Sequence, residues 1–318
     1  MNRFPKPIRL VLMSVFALLL LGACTTKSSI YIDLGDQDEG NDNNTGKGTA
    51  LVTFNASVEG RDLTRSMTPM DKGLQSWLCA YPSGTTNILR GEPITDGAYI
   101  TSSPGVLSGL DGYKMYLSND IYSFYGVSCN SMEPAPVFTK GISEPLTNGV
   151  DYLWWSAPHQ DITSSQVNIP VVYQHAGTQL VITIEGGQNL TVNKINSVTI
   201  TPPQPGATMN LSTGIITPET AYGKSTTMGI NDLTVQYIML PIQNTTPMPI
   251  ILELTVNGEA TPRTYNAEIA LPDGEFEAGK SYLYRAVINE NTVAFPNVYV
   301  KEWTEVDESG NPLYPVQK

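Results

Sequence analysis

Apolar and polar residues alternate along most of this chain from Thr49 onward. In the first alternating run, apolar side chains occupy every second position: Ala50, Val52, Phe54, Ala56 and Val58. Successive side chains of a β-strand point to opposite faces, so this spacing is typical of a strand with one buried side. The pattern therefore predicts a strand over residues 50–58 whose apolar face packs into a core.

The same period-two alternation recurs in nine further segments. They are residues 122–128, 166–173, 179–185, 195–201, 233–240, 250–256, 264–271, 282–288 and 298–303. Glycine- and proline-rich turns separate these segments, and Asn257-Gly258 between two of them predicts a hairpin. Helical periodicity is nearly absent, with only a short turn expected at 68–75, where Pro69 suits a first helical position. Many short strands joined by such turns predict an all-β protein built from sandwiches or barrels.

Chain length suggests more than one core. After removal of residues 1–23, the 295 residues that remain exceed what a single core usually supports. The turn-rich stretches 82–103 and 130–149 loosen the first half, whereas strands in the second half are denser. We therefore predict an N-terminal β domain at 49–165 and a C-terminal β domain at 166–318.

The N-terminus has the form of an export signal. Arg3, Lys6 and Arg9 flank a short apolar run that ends in Gly22-Ala23-Cys24. A basic start, a short apolar stretch and small residues before a cut site are typical of a signal peptide. A cysteine directly after Gly-Ala resembles a bacterial lipoprotein signal, in which the thiol is lipidated and becomes the new N-terminus. We predict a signal peptide at 1–23 and a stable lipid anchor on Cys24.

Residues 24–48 are predicted to form a flexible linker. Their stretch 36–44 is acidic and rich in asparagine and glycine, as disordered segments usually are. The spacing of its aspartates is similar to that of a calcium loop, but Lys47 stands where a bidentate glutamate belongs. No metal or cofactor is therefore predicted.

The net charge of the mature chain limits the classes of partner that it is expected to bind. The signal peptide holds three basic residues and no acidic one, so the mature chain carries 15 Lys and Arg against 30 Asp and Glu. A surface this acidic argues against nucleic acid and against binding an anionic membrane through basic patches.

Catalytic motifs are absent from the sequence. His159 and His175 are its only histidines, and neither stands in a zinc, nucleophile-elbow or phosphate-loop pattern. A carboxylate, Asp161, follows His159 closely, but chance alternation often gives such a pair. The sequence favours a protein that is not an enzyme.

Two further pairs leave alternatives open. Cys79 and Cys129 either form a disulfide in an oxidising compartment or stay buried as thiols. Trp154 and Trp155 are neighbours, so on a strand they face opposite sides; one packs inside, and the other is covered by a loop or serves as a stacking platform for sugars.

Several segments resemble the fimbrillin-like (Mfa-like) family of the Bacteroidales. A lipoprotein signal and linker precede one alternating strand and an arginine-bearing segment at 59–66, with Arg61 and Arg65. Residues 171–184 resemble a strand–histidine–strand passage of that family. The end is similar too: a glycine–tyrosine strand at 276–288 precedes a valine-rich strand that closes in Trp303.

The resemblance implies two tandem β-sandwich-like (transthyretin-like) domains and a subunit of a type V pilus. In that family the precursor reaches the outer membrane as a lipoprotein, and a protease that cuts after arginine removes the first strand. A segment from a neighbouring subunit then fills the vacated groove. The expected partners are other pilus subunits, the outer membrane and a host or bacterial surface ligand, with no nucleic acid.

The residues themselves are compatible with that route. A cut after Arg61 or Arg65 would release the strand at 50–58, and β-augmentation by an incoming strand would restore its contacts. The predicted donor region is 293–318, in which Val298, Val300 and Trp303 are candidate donor residues. Alternatively, 298–303 is the last strand of its own domain. A shaft or tip role is favoured, while a pilus anchor or a monomeric lipoprotein that binds a glycan or host ligand remains an alternative.

Overall fold

A computed structural model describes residues 49–59, 67–83 and 91–303 of the chain. In the part before residue 176 the strands are β1 Thr49–Glu59, β2 Met67–Pro69, β3 Gln75–Pro82, β4 Thr95–Ser103, β5 Val106–Gly109, β6 Met115–Ser118, β7 Asp120–Ser128, β8 Phe138–Thr139, β9 Ile142–Ser143, β10 Leu153–Ile162 and β11 Gln166–His175. In the part after it they are β12 Thr178–Gly186, β13 Val192–Ile200, β14 Thr226–Thr227, β15 Gly229–Asn231, β16 Thr234–Met239, β17 Ile242–Gln243, β18 Met248–Val256, β19 Arg263–Ile269, β20 Glu275–Phe276, β21 Lys280–Ile288, β22 Val293–Ala294 and β23 Val298–Glu302.

The predicted all-β class is confirmed. All ten segments with alternating residues fall on strands, with at most two residues beyond a strand end, and the described residues outside strands form loops with short 3-10 turns at Leu110–Gly112 and Pro272–Gly274. The hairpin at Asn257-Gly258 also forms, with both residues at positive φ, and joins β18 to the antiparallel β19. The short helical turn expected at 68–75 is wrong, because Pro69 ends β2.

The first sheet runs in the order β11-β10-β7-β3-β4-β5-β1-β2, and β6 also pairs with β1. A further pairing of β1 with β11 closes this sheet on itself. Strands β10 and β11 pair at one end only, through Leu153 with His175 and Trp154 with Gln174. They then diverge towards the turn that joins them, which separates the closed sheet into two sandwich-like layers.

Two larger sheets, together with the two-stranded sheet β17–β20, form the described part of the fold after His175. One has the order β15-β16-β12-β21-β22, with β23 also paired to β21, and the other has the order β14-β13-β18-β19. Their inward side chains share one core, in which Leu180, Val198, Leu252 and Ala286 are fully buried. Strand β12 is flanked by the parallel β21, as β1 is by the parallel β11.

The domain boundary between residues 165 and 166 stays a prediction. Strand β11, which that prediction assigns to the second domain, pairs with β1 and β10 in the first sheet. A separate core cluster joins Cys79 and Val127 from the first part to Met209 and Leu240 from the second. In the described residues no helix is long and apolar enough to cross a membrane.

Candidate functional site

Strand β1 is the centre of one layer of the first sheet. On one side it runs parallel to β11 over eight residue pairs, from Leu51 with Gln166 to Val58 with Tyr173. On its other side it is antiparallel to three short strands, β6, β5 and β2. This one strand therefore pairs with four other strands of the layer.

The predicted buried face of β1 is confirmed. Its five apolar side chains are at most 3% exposed: Ala50, Val52, Phe54, Ala56 and Val58. Phe54 is the largest of them, and its ring makes edge-on contacts with Tyr99 and Phe124 at centroid distances of 5.4 and 6.0 Å. Edge-to-face geometry of this kind adds to the stabilisation that burial alone gives. We call the space that β1 fills between β11 and the three short strands the β1 groove.

Polar contacts fix the register of β1 in its groove. The Thr53 hydroxyl donates to the carbonyl of Val167 at 3.3 Å, and the Ala56 amide donates to Gly105 at 2.8 Å. At the far end, the Gln174 side chain donates to the carboxylate of Glu59 at 2.9 Å. A one-residue slip would turn the buried face to solvent, so these contacts and the core specify a single register.

The C-terminal strand β23 lies at an edge of the second sheet, antiparallel to β21 over five residue pairs. Of the three candidate donor residues, Trp303 is buried, Val298 is partly buried and Val300 is 37% exposed. In this structure residues 298–302 pair with a strand of their own chain, as the alternative interpretation of this segment expects. Donation of the same segment to a neighbour stays a prediction.

Trp303 packs at the end of β11. Its indole stacks on the ring of His175 with 4.1 Å between centroids and 10° between planes. A Cβ at Gly177 would be in ordinary contact with the Trp303 ring at 3.5 Å but would crowd the Met239 carbonyl at 3.2 Å. The Trp303 amide donates to the Gly279 carbonyl at 2.8 Å.

His175 is the last residue of strand β11. It is buried, and its Nδ1 lies 2.7 Å from Oδ1 of Asp151, whose other oxygen accepts from the Asn130 amide at 2.8 Å. His159 stands in a bulge of β10 at φ +55°, with its Nδ1 2.5 Å from the Ser83 hydroxyl. In the described residues, no group of three or more His, Cys, Asp or Glu side chains could hold a metal ion.

The tryptophan pair belongs to the core rather than to an open platform. Trp155 is 6% exposed in the first core, and the Trp154 indole donates to the Leu211 carbonyl at 2.7 Å. Gly214 lies against the Trp154 ring, since a Cβ there would be 2.4 Å from it. A loop thus covers Trp154, and the sugar-stacking alternative loses its support.

Cys79 and Cys129 are both free and buried. Burial raises the pKa of each thiol, to about 11 for Cys129, with nearby carboxylates adding to the effect. Protonated, enclosed thiols of this kind are poor nucleophiles, so both act as small apolar core residues.

Gly214→Ala is expected to lower the free energy of unfolding by about 1–3 kcal/mol, because its Cβ would overlap the Trp154 ring. Gly258→Ala is the matched control: its φ is +71°, against +72° at Gly214, but nothing lies within 4 Å of its Cβ. Urea unfolding of both variants separates the contact from the backbone strain. Equal losses would show that Gly214 makes no constraining contact with Trp154.

The remaining predicted site residues lie outside the described part of the chain. They are the lipidation residue Cys24, the processing residues Arg61 and Arg65, and the end of the donor region at 304–318. The signal peptide at 1–23 and the whole linker at 24–48 lie there as well. Sequence reasoning missed the pairing of β1 with β11 and the stacking of Trp303 on His175, since both join residues more than 100 positions apart.

Comparison with known proteins identifies relatives of this fold. The family model of fimbrillin-like proteins matches residues 64–303. A candidate cell adhesion protein of Bacteroides uniformis is 20% identical with a TM-score of 0.58, and the match covers 80% of this chain and 99% of that protein. One from Bacteroides ovatus is 12% identical with a TM-score of 0.59, covering 82% and 100%. These identities show a shared fold, and no curated protein matches the chain.

Proposed function

Because this chain belongs to the fimbrillin-like family, whose members are fimbrial and adhesion proteins rather than enzymes, we propose that it is a structural subunit of a type V pilus. It serves in the shaft or tip and contributes to adhesion at the cell surface. The chain reaches the outer membrane as a lipoprotein acylated on Cys24. A protease then cuts after Arg61 or Arg65, and the subunit joins its neighbours by strand exchange.

The observation that carries this proposal is the position of β1. It is the first described strand, it is central to its layer, and it ends two residues before Arg61. A cut there separates β1 from the fold without breaking any other described strand. The family match at 64–303 begins after β1 and close to the same arginines.

Loss of β1 favours the binding of another strand in the β1 groove. Burial of Val52, Phe54 and Val58 contributes about 1.5–3 kcal/mol for each side chain, and the groove also loses backbone hydrogen-bond partners along β11. An extended segment with apolar residues at every second position restores both contributions. The region 293–318 of a neighbouring subunit is the donor in this proposal.

Limited trypsin treatment of the folded precursor tests the proposal. We expect a product that begins at Asp62 or Ser66 and assembles into multimers, as measured by N-terminal sequencing and light scattering. An Arg61→Gln, Arg65→Gln double variant is the control: it should keep β1, even where trypsin trims the linker at Lys47, and it should stay monomeric. A product that loses β1 but never assembles would exclude the shaft role.

The N-terminal residue of the protein on cells separates the remaining alternatives. A lipidated Cys24 at the start of the surface-exposed protein would favour the pilus anchor or a monomeric lipoprotein that binds a glycan or host ligand. A start at Asp62 or Ser66 favours the processed subunit.

A further inference from the structure

We infer that β1 stabilises the docked position of β23. When β1 is lost, β11 becomes more mobile, and this change, transmitted through His175, weakens the packing of Trp303 and of β23. This regulation rests on the proposed function, since it links the release of the first strand to the availability of the donor region. It accounts for how a subunit keeps its own C-terminal strand docked until its groove is open.

The first step concerns how β11 is held. Among the described strands, residues 166–173 of β11 pair with β1 alone. The pairing with β10 holds β11 only at Gln174 and His175. When β1 leaves, eight ladder positions lose their partner, so β11 keeps its backbone attachment at one end only. Strand segments with few remaining hydrogen bonds open locally at lower free energy than the rest of a fold.

The second step concerns what lies at the held end of β11. Gln174 donates to Glu59, the last residue of β1, and the next residue is His175. The His175 ring lies between two fixed contacts, the Asp151 carboxylate and the Trp303 indole. Loss of β1 removes the Gln174–Glu59 hydrogen bond beside His175. We infer that His175, although still paired with Leu153, then shifts enough to disturb the stacking of Trp303.

The third step concerns β23 itself. It lies at a sheet edge, where its described ladder consists of five pairs with β21. Trp303 directly follows β23 and is 4% exposed, whereas Tyr299 within the strand is 53% exposed. Without the indole contact, β23 would keep its edge ladder with β21 and the Lys280–Glu302 ion pair but little buried apolar area, so its exchange with solvent should rise.

Hydrogen–deuterium exchange of the full chain tests this coupling between β1 and β23, and it includes a sample in which no proteolysis is needed. Three samples are compared: the intact protein, the trypsin-treated protein and intact Phe54→Ala, which weakens β1 in its groove. We expect the amides of β11 and β23 to exchange at least tenfold faster in the second and third samples. The hairpin β18–β19, which contacts neither strand in the ladders, is the internal reference and should change less.

Leu78→Ala is the matched control variant. Leu78 is fully buried in the same core as Phe54, but β3 pairs with β4 and β7 and not with β1 or β11. Its β23 amides should follow the β18–β19 reference. Faster exchange of β11 with unchanged β23 in the Phe54→Ala variant would overturn the inference. If trypsin leaves β1 in place while Phe54→Ala still frees β23, the link stands and the proposed processing fails.

Discussion

Phe54→Ala is expected to lower the free energy of unfolding by about 3–5 kcal/mol, the usual range for removing a buried aromatic ring. Phe54 is 1% exposed, and its ring packs edge-on against Tyr99 and Phe124. Its removal leaves a cavity bounded by two large side chains from different strands, which cannot both move in to fill it. Urea unfolding followed by circular dichroism measures the loss.

Asn55→Ala is the control on the same strand. Asn55 is exposed on the outer face of β1, so its truncation should change the free energy of unfolding by no more than about 0.5 kcal/mol. A loss below about 1 kcal/mol for Phe54→Ala would contradict the assignment of β1 as a core strand. It would also mean that loss of β1 removes too little buried apolar surface to favour the binding of another strand.

The alternating pattern predicts a strand reliably when one face of that strand is buried and the other is exposed. In β1 every second residue faces the core, so the sequence shows both the strand and its buried face. In β3 the inner residues Leu78, Cys79, Ala80 and Tyr81 are all buried, and the alternation disappears. Strand β10 was missed for a different reason, because the bulge at Pro158 and His159 shifts its register.

Pairing could not be predicted from the same pattern. The alternation in β1 and β11 is compatible with many partners, and the parallel register that joins Leu51 to Gln166 spans more than 100 residues. Glycine positions carry some of the missing information. Gly214 leaves space for the Trp154 ring, yet nothing in the neighbouring residues distinguishes it from an ordinary turn glycine.

A peptide with the sequence of β1, Thr49–Glu59, is expected to bind the trypsin-treated protein, whereas its Phe54→Ala form should bind more than about 100-fold more weakly. The reason is that a loss of about 3 kcal/mol corresponds to two powers of ten in affinity. The pocket between Tyr99 and Phe124 accepts one aromatic ring at the centre of the strand. Fluorescence anisotropy of a labelled peptide measures both affinities.

Two more peptides distinguish specific binding in the β1 groove from nonspecific hydrophobic binding. An Asn55→Ala peptide changes only the outer face and should keep its affinity within about threefold. An Ala56→Leu peptide places a larger side chain where Ala56 is 3% exposed, and overpacking of about 1–3 kcal/mol should weaken it about 5- to 150-fold. Equal binding of all four peptides would contradict a shaped groove. The expected ranking would instead show that the groove discriminates between side chains at the positions of Phe54 and Ala56.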